Sequence, residues 1–177
     1  GMSNGAMMTS TLACAMPGVF AAVAPVAGVR SPEGCEPDRD IPLLAFHGTD
    51  DQYLAFEGGY GDKVADLPSP DGTGTLGDAG IADPADALPV PERVAEWAAR
   101  NACDADTELV ETEVAADVTL LSSCDAATQL YVIDGGGHSW PGSEFDRGIA
   151  DIVGPTTNTI DATELIWTFF RQHPLTA

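Results

Sequence analysis

Positive charge is scarce in this 177-residue sequence. Seven Lys and Arg stand against 28 Asp and Glu, for a formal net charge of -21, and Lys63 is the sole lysine. A surface of that sign repels phosphate backbones and anionic lipid headgroups, which argues against nucleic-acid and membrane-surface partners. Long hydrophobic runs are missing too, and nothing approaches the roughly 18 consecutive apolar residues of a membrane span. The 44% hydrophobic content still suffices for one domain with a real core. No two of the four cysteines have the CxxC spacing of a zinc or thioredoxin site. The sequence also opens without an initiator Met or a visible signal peptide, so it reads as an internal piece of a longer protein.

What is present is organised in local pairs and buried runs. Cys14 and Cys35, and Cys103 and Cys124, are each separated by 21 positions. Two local disulfides are the most economical of the three possible pairings, each contributing roughly 3 kcal/mol through loop closure. Four buried free thiols are the alternative. The disulfide reading implies an oxidising compartment, extracellular or periplasmic, and hence a secreted protein.

The opening Gly1-Met2-Ser3-Asn4-Gly5 has the GxSxG pattern of a nucleophile elbow, in which small residues two positions either side of a strained Ser avoid a clash. Asn4 to about Cys14 reads as the helix behind it, with Ala6, Met7, Met8, Leu12 and Ala13 apolar and no Gly or Pro after Gly5. Residues 19–28, 41–46 and 130–133 are short apolar runs without alternation, the pattern of strands buried on both faces of a parallel sheet covered by helices. Further helices are expected from Pro91 to near Asn101, with Trp97 in the core, and from an Asp161-x-x-Glu164 capping box to near His173. One or two short strands are expected within 108–122. The fold class that follows is α/β, with a mostly parallel sheet flanked by helices. Residues 57–90, rich in Asp, Gly and Pro, read as a solvated loop or a lid insertion; their acidic spacing does not match a calcium loop.

In such a sheet, catalytic groups gather at the carboxyl ends of strands. Three candidates stand there in the order Ser3, Asp51, His138. That is the chain order of the α/β-hydrolase triad, distinct from those of chymotrypsin-like and subtilisin-like proteases. A serine hydroxyl needs a base within hydrogen-bond reach, and a carboxylate on the far ring nitrogen fixes the histidine's tautomer. Three glycines before His138 cost backbone entropy and make sense where a loop brings an imidazole against another backbone. The Asn4 N–H would be one oxyanion donor; the second is expected upstream of Gly1, so the chain taken alone is expected to show little or no activity.

These blocks, Gly1 to Met7, Phe20 to Gly28, Phe46-His47-Gly48-Thr49-Asp50-Asp51 and Gly135-Gly136-Gly137-His138-Ser139-Trp140-Pro141-Gly142, resemble the polyhydroxybutyrate depolymerase and feruloyl esterase group of secreted α/β-hydrolases. The likeness extends to Trp97–Cys103 and Asp161–Trp167, and omits 57–90. It implies the C-terminal part of such a hydrolase: a serine esterase with Ser3 as nucleophile, Asp51 as acid and His138 as base, acting on a polymeric or oligomeric ester without metal or organic cofactor. It also implies Asp51 over its neighbour Asp50, because the acid is the fifth residue of the His-Gly-Thr block, and a structural place for His47, the rival base. Two departures, Gln52-Tyr53-Leu54-Ala55-Phe56 after the acid and the enlarged Asp-rich stretch, lie near the expected pocket mouth. Tyr53 and Trp140 are the substrate-contact candidates there, although Trp140 would equally serve to pack its loop. The competing functions are a non-catalytic ester- or sugar-binding protein and a serine peptidase.

Overall fold

The computed structural model describes residues 1–69, 71–80, 88–101, 109–123, 125 and 127–175. Its sheet is built on β1, Leu43–Gly48, all six residues of which are buried. β4, Thr128–Ile133, lies parallel to it, with Leu43 opposite Thr128 and Gly48 opposite Ile133. Between them in sequence come β2, Val110–Ala115, and β3, Val118–Ser123, and the strand order is β1-β4-β3-β2.

This overturns the expectation of a mostly parallel α/β-hydrolase sheet. The sheet is mixed, with one parallel pair and two antiparallel ones, β4 with β3 and β3 with β2. The reason lies in connection length. A parallel crossover needs about a dozen residues or more, whereas only Ala116 and Asp117 separate β2 from β3, and residues 124–127 separate β3 from β4. Unbroken apolar character tells how deeply a strand is buried, not the direction of its neighbour.

The apolar run 19–28 also departs from expectation. It forms isolated parallel bridges, Val23 with Leu43 and Val26 with Phe46, instead of a laddered strand. Pro25 has no N–H to donate, and Ala27 sits at φ 48, off the extended path. The segment nevertheless lies against β1, through Leu44 N–H to Val23 O and Ala27 N–H to Phe46 O. Residues 1–3 lie against it in turn, with Met2 bridged to Val26.

Helices cover both faces. α1, Asn4–Ala15, buries Ala6, Ser10 and Ala13, one stripe at helical spacing. α2, Val90–Arg100, starts with Pro91 in its first turn and buries Val90, Val94, Trp97 and Ala98. Trp97 is fully buried, and its Nε1 donates to Arg30 O, so it belongs to the core as expected. Leu43, Ala45 and Leu130 meet this side, while Leu44, Phe46 and Tyr131 face Ile166 and Phe169 of α5, Ala162–Gln172. The Asp161 side chain caps α5 by accepting from Glu164 N–H. Two short helices, α3 (Glu144–Gly148) and α4 (Ala150–Val153), precede it. No helix among the described residues is long and apolar enough to cross a membrane.

In the described part of 57–90, Asp71 and Asp78 turn inward on their own loops. Asp71 Oδ1 accepts from Ser69, and from Thr73 through both N–H and hydroxyl; Asp78 Oδ2 accepts both the N–H and the hydroxyl of Thr75.

A disulfide joins Cys14 to Cys35, with Cα atoms 5.5 Å apart, tying the end of α1 to the loop before β1. Cys103 and Cys124 lie outside the described residues. Replacing Cys14 and Cys35 together by serine is expected to lower the unfolding free energy by roughly 3 kcal/mol, from the 21-residue separation the bridge closes. Urea titrations of the two proteins without reductant measure this; equal midpoints would show that the bridge does not constrain the unfolded chain.

Candidate active site

Because β1 and β4 are parallel and in register, their carboxyl ends leave the sheet at one edge, and the loops that follow run side by side. Thr49 N–H donates to Ile133 O, Asp50 N–H to Gly136 O, and Gly135 N–H to Thr49 Oγ1. The glycines make this approach possible. A Cβ on Gly48 would fall 2.1 Å from Gly136 O, and one on Gly137 would fall 2.3 Å from Val153 O. The imidazole is thus delivered between two backbones, and His138 N–H is anchored on Val153 O at 2.6 Å.

His138 Nδ1 lies 2.8 Å from Asp51 Oδ2. The Asp51 side chain is fully buried, and its other oxygen accepts Tyr53 N–H at 2.8 Å and Leu54 N–H at 2.9 Å. Asp50, its rival as the acid, is exposed. His47, the rival base, is buried in β1, with Nε2 2.8 Å from Leu54 O and 3.4 Å from Asp51 Oδ2.

Burial is the largest influence on the Asp51 carboxyl and by itself would raise its pKa. The hydrogen bonds and positive potential of His138 and His47 together outweigh it and hold the carboxyl well below the usual carboxylate range. A carboxyl depressed on folding adds stability above its unfolded pKa, about 4, and that stability is lost as pH falls toward the folded value. The stability advantage of the native protein over Asp51→Asn should therefore shrink as pH is lowered from about 5 toward 2. Chemical denaturation across that range checks it; an advantage that grows on acidification would contradict the sign.

Ser3 heads α1 in a conformation that L-residues rarely adopt, φ 55 and ψ -123. Its N–H donates to Val26 O, and its carbonyl accepts from Ala6 and Met7. Holding a non-glycine residue there costs on the order of 1–3 kcal/mol, a strain that clusters at functional sites. The two flanking glycines are not equivalent. A Cβ on Gly1 would meet Gly5 O at 2.5 Å, whereas one on Gly5 would meet nothing within 4 Å, so the steric requirement expected of both falls on Gly1. Asn4 is exposed in the first helical turn, where backbone N–H groups have no intrahelical acceptor.

Ser3 and Leu54 approach each other across Gly28, whose missing Cβ would lie 2.6 Å from Ser3 O and 3.3 Å from Leu54 Cδ1. Leu54 N–H is bonded to Asp51, so the serine backbone and the acid loop are neighbours. The structure thus brings Asp51 and His138 into direct contact. It does not join Ser3 to them: among the described residues, no hydrogen bond links the Ser3 hydroxyl to His138.

Tyr53 covers the His138 ring at a centroid distance of 4.9 Å, and its hydroxyl donates to Ile152 O. Lys63 Nζ donates to the same carbonyl and to Asp151 O. Trp140 is half-buried against the Phe46–Tyr131 side of the core, with Nε1 bonded to Thr163 Oγ1. Those contacts are loop packing. One residue of the site has no counterpart in the sequence reading: buried Asp146, whose Oδ2 accepts Trp140 N–H at 2.6 Å. Its signal was the Ser143-x-x-Asp146 spacing, in which the serine hydroxyl accepts Asp146 N–H and caps α3.

No group of three or more His, Cys, Asp or Glu among the described residues is arranged to hold a metal ion. Compared with known proteins, the chain matches no family model and no curated sequence.

Proposed function

We propose that the protein is a serine carboxylic-ester hydrolase working through an acyl-enzyme, with Ser3 as nucleophile, His138 as base and Asp51 as the acid that orients it. The observation that carries this reading is the buried Asp51–His138 pair at 2.8 Å. A carboxylate on Nδ1 commits the ring hydrogen to that nitrogen and leaves the Nε2 lone pair free to accept a proton. His138 Nε2 takes the Ser3 hydroxyl proton as Oγ attacks the ester carbonyl. The Asn4 N–H donates to the oxyanion, and the histidine passes the proton to the departing alcohol. Water, deprotonated by the same nitrogen, then attacks the acyl-enzyme and releases the acid and free Ser3.

The substrate classes that follow from the sequence resemblance are short-chain hydroxyalkanoate esters and feruloyl or acetyl esters of polysaccharide, and secretion suits both. Hydrolysis of hydroxybutyrate oligomers compared with methyl ferulate by the full-length protein separates them, and activity on neither removes both. The competing reading is a non-catalytic ester- or sugar-binding protein, favoured by the unjoined Ser3 hydroxyl. A fluorophosphonate decides between the two: stoichiometric labelling at Ser3 supports the hydrolase, and no labelling of the folded full-length protein supports the binder.

A further inference from the structure

Among the described residues, His47 is a buried titratable group in contact with Asp51 that the proposed chemistry leaves unused. It lies next to the last residue of β1, 3% exposed, with its Nε2 facing two oxygens: Leu54 O at 2.8 Å and Asp51 Oδ2 at 3.4 Å. Both are acceptors, so Nε2 carries a hydrogen. Nδ1 is buried without a hydrogen-bond partner among the described residues, and His47 lines a small cavity together with Gly48, Gly136, Gly137 and Ser139. A buried polar group of this kind costs stability, and an apolar side chain of similar shape would not incur that cost.

The geometry of the acid shows what His47 does there. Asp51 Oδ1 is fixed by two backbone N–H groups of the turn that follows it, those of Tyr53 and Leu54. Leu54 also offers its carbonyl to His47 Nε2, so one residue ties the imidazole to the same turn. Oδ2, the oxygen that receives His138, is flanked by the two imidazoles, whereas the backbone N–H groups of Tyr53 and Leu54 both go to Oδ1. We propose that His47 is a positioning residue, whose shared Nε2–H holds the Asp51–Leu54 turn and keeps Oδ2 in line with His138 Nδ1. The proposal rests on the triad reading for its effect on turnover, but its structural part does not.

Two variants and one spectrum test it. His47→Phe keeps a planar ring and removes the donor, while His47→Gln places an amide N–H near the position of Nε2. In His47→Phe, kcat is expected to fall by up to about 100-fold, the size of effect a displacement of about 1 Å in catalytic geometry produces. KM should stay near its native value, and His47→Gln should recover most of the loss. The readout independent of turnover is the low-field ring proton that His138 shares with Asp51. It should shift or broaden in His47→Phe and return in His47→Gln, in variants that circular dichroism shows to be folded. With three histidines in the chain, nitrogen-15 spectra of the native protein can also assign each ring tautomer. A hydrogen found on His47 Nδ1 and not on Nε2 overturns the proposal, even if neither variant folds. So does a folded His47→Phe that keeps the native low-field proton and native kcat. If the native protein hydrolyses no ester, the hydrolase reading fails, and the proton spectra still decide the role of His47.

Discussion

Ser3→Ala in the full-length protein is expected to abolish ester turnover, by on the order of 10⁶-fold in kcat if the three residues act as a unit. Alanine leaves His138 and Asp51 in place, but nothing is left to form the acyl bond, so labelling by a fluorophosphonate should vanish with the activity. Residual activity above about one per cent of native would argue that another residue is the nucleophile. The backbone supplies an independent check. Ser3 sits at φ 55 and ψ -123, where glycine carries no Cβ penalty. Ser3→Gly should therefore lose activity as completely as Ser3→Ala while melting higher than Ser3→Ala, its unfolding free energy being larger by on the order of 1 kcal/mol. A glycine variant melting no higher would mean that the turn is not strained.

The second large effect is expected from Asp51→Asn, a loss of about 10⁴ in kcat with little change in shape. Its direction follows from the bonds around the carboxylate. Tyr53 N–H and Leu54 N–H both donate to Oδ1, so the asparagine must place its carbonyl oxygen there. Its NH₂ then takes the position of Oδ2 and points hydrogens at His138 Nδ1 and His47 Nε2. To avoid donor against donor, His138 must move its hydrogen to Nε2, the nitrogen that has to accept the proton of Ser3. The ring stays and the base is lost. Ester hydrolysis kinetics, with the His138 tautomer read from nitrogen-15 spectra, check both halves; a variant within tenfold of native would remove Asp51 from the role of acid.

The site was more legible in the sequence than the sheet. Gly135, Gly136 and Gly137 before a histidine carry their own explanation, because three costly residues in a row imply close backbone contact, and Gly136 meets Gly48 while Gly137 meets Val153 and Gly154. The helix at 4–15 was visible through its apolar content, that at 90–100 through Pro91 in its first turn and one apolar face, and that at 162–172 through its capping box. Strand direction was not, since Leu43–Gly48 and Thr128–Ile133 look alike whether a neighbour runs with them or against them. The short Ala116–Asp117 link held that information, and it was outweighed by the apolar runs. The role of His47 was hidden for another reason. A histidine inside a buried strand looks structural, and only the return of the chain at Leu54 places its ring on the carboxylate of Asp51.

Lys63, with its ammonium on the carbonyls of Asp151 and Ile152 and over the Tyr53 ring, has a practical consequence for handling the protein. Within these 177 residues, coupling chemistry aimed at lysine side chains has this one address, and it stands beside Tyr53, whose ring meets that of His138. A dye, a tether or a resin attached there would displace the ammonium from the carbonyls of Asp151 and Ile152 and lie next to the Tyr53 ring. Carboxyl-directed coupling, with 28 acidic side chains to choose from, would scatter its attachments over the whole surface instead.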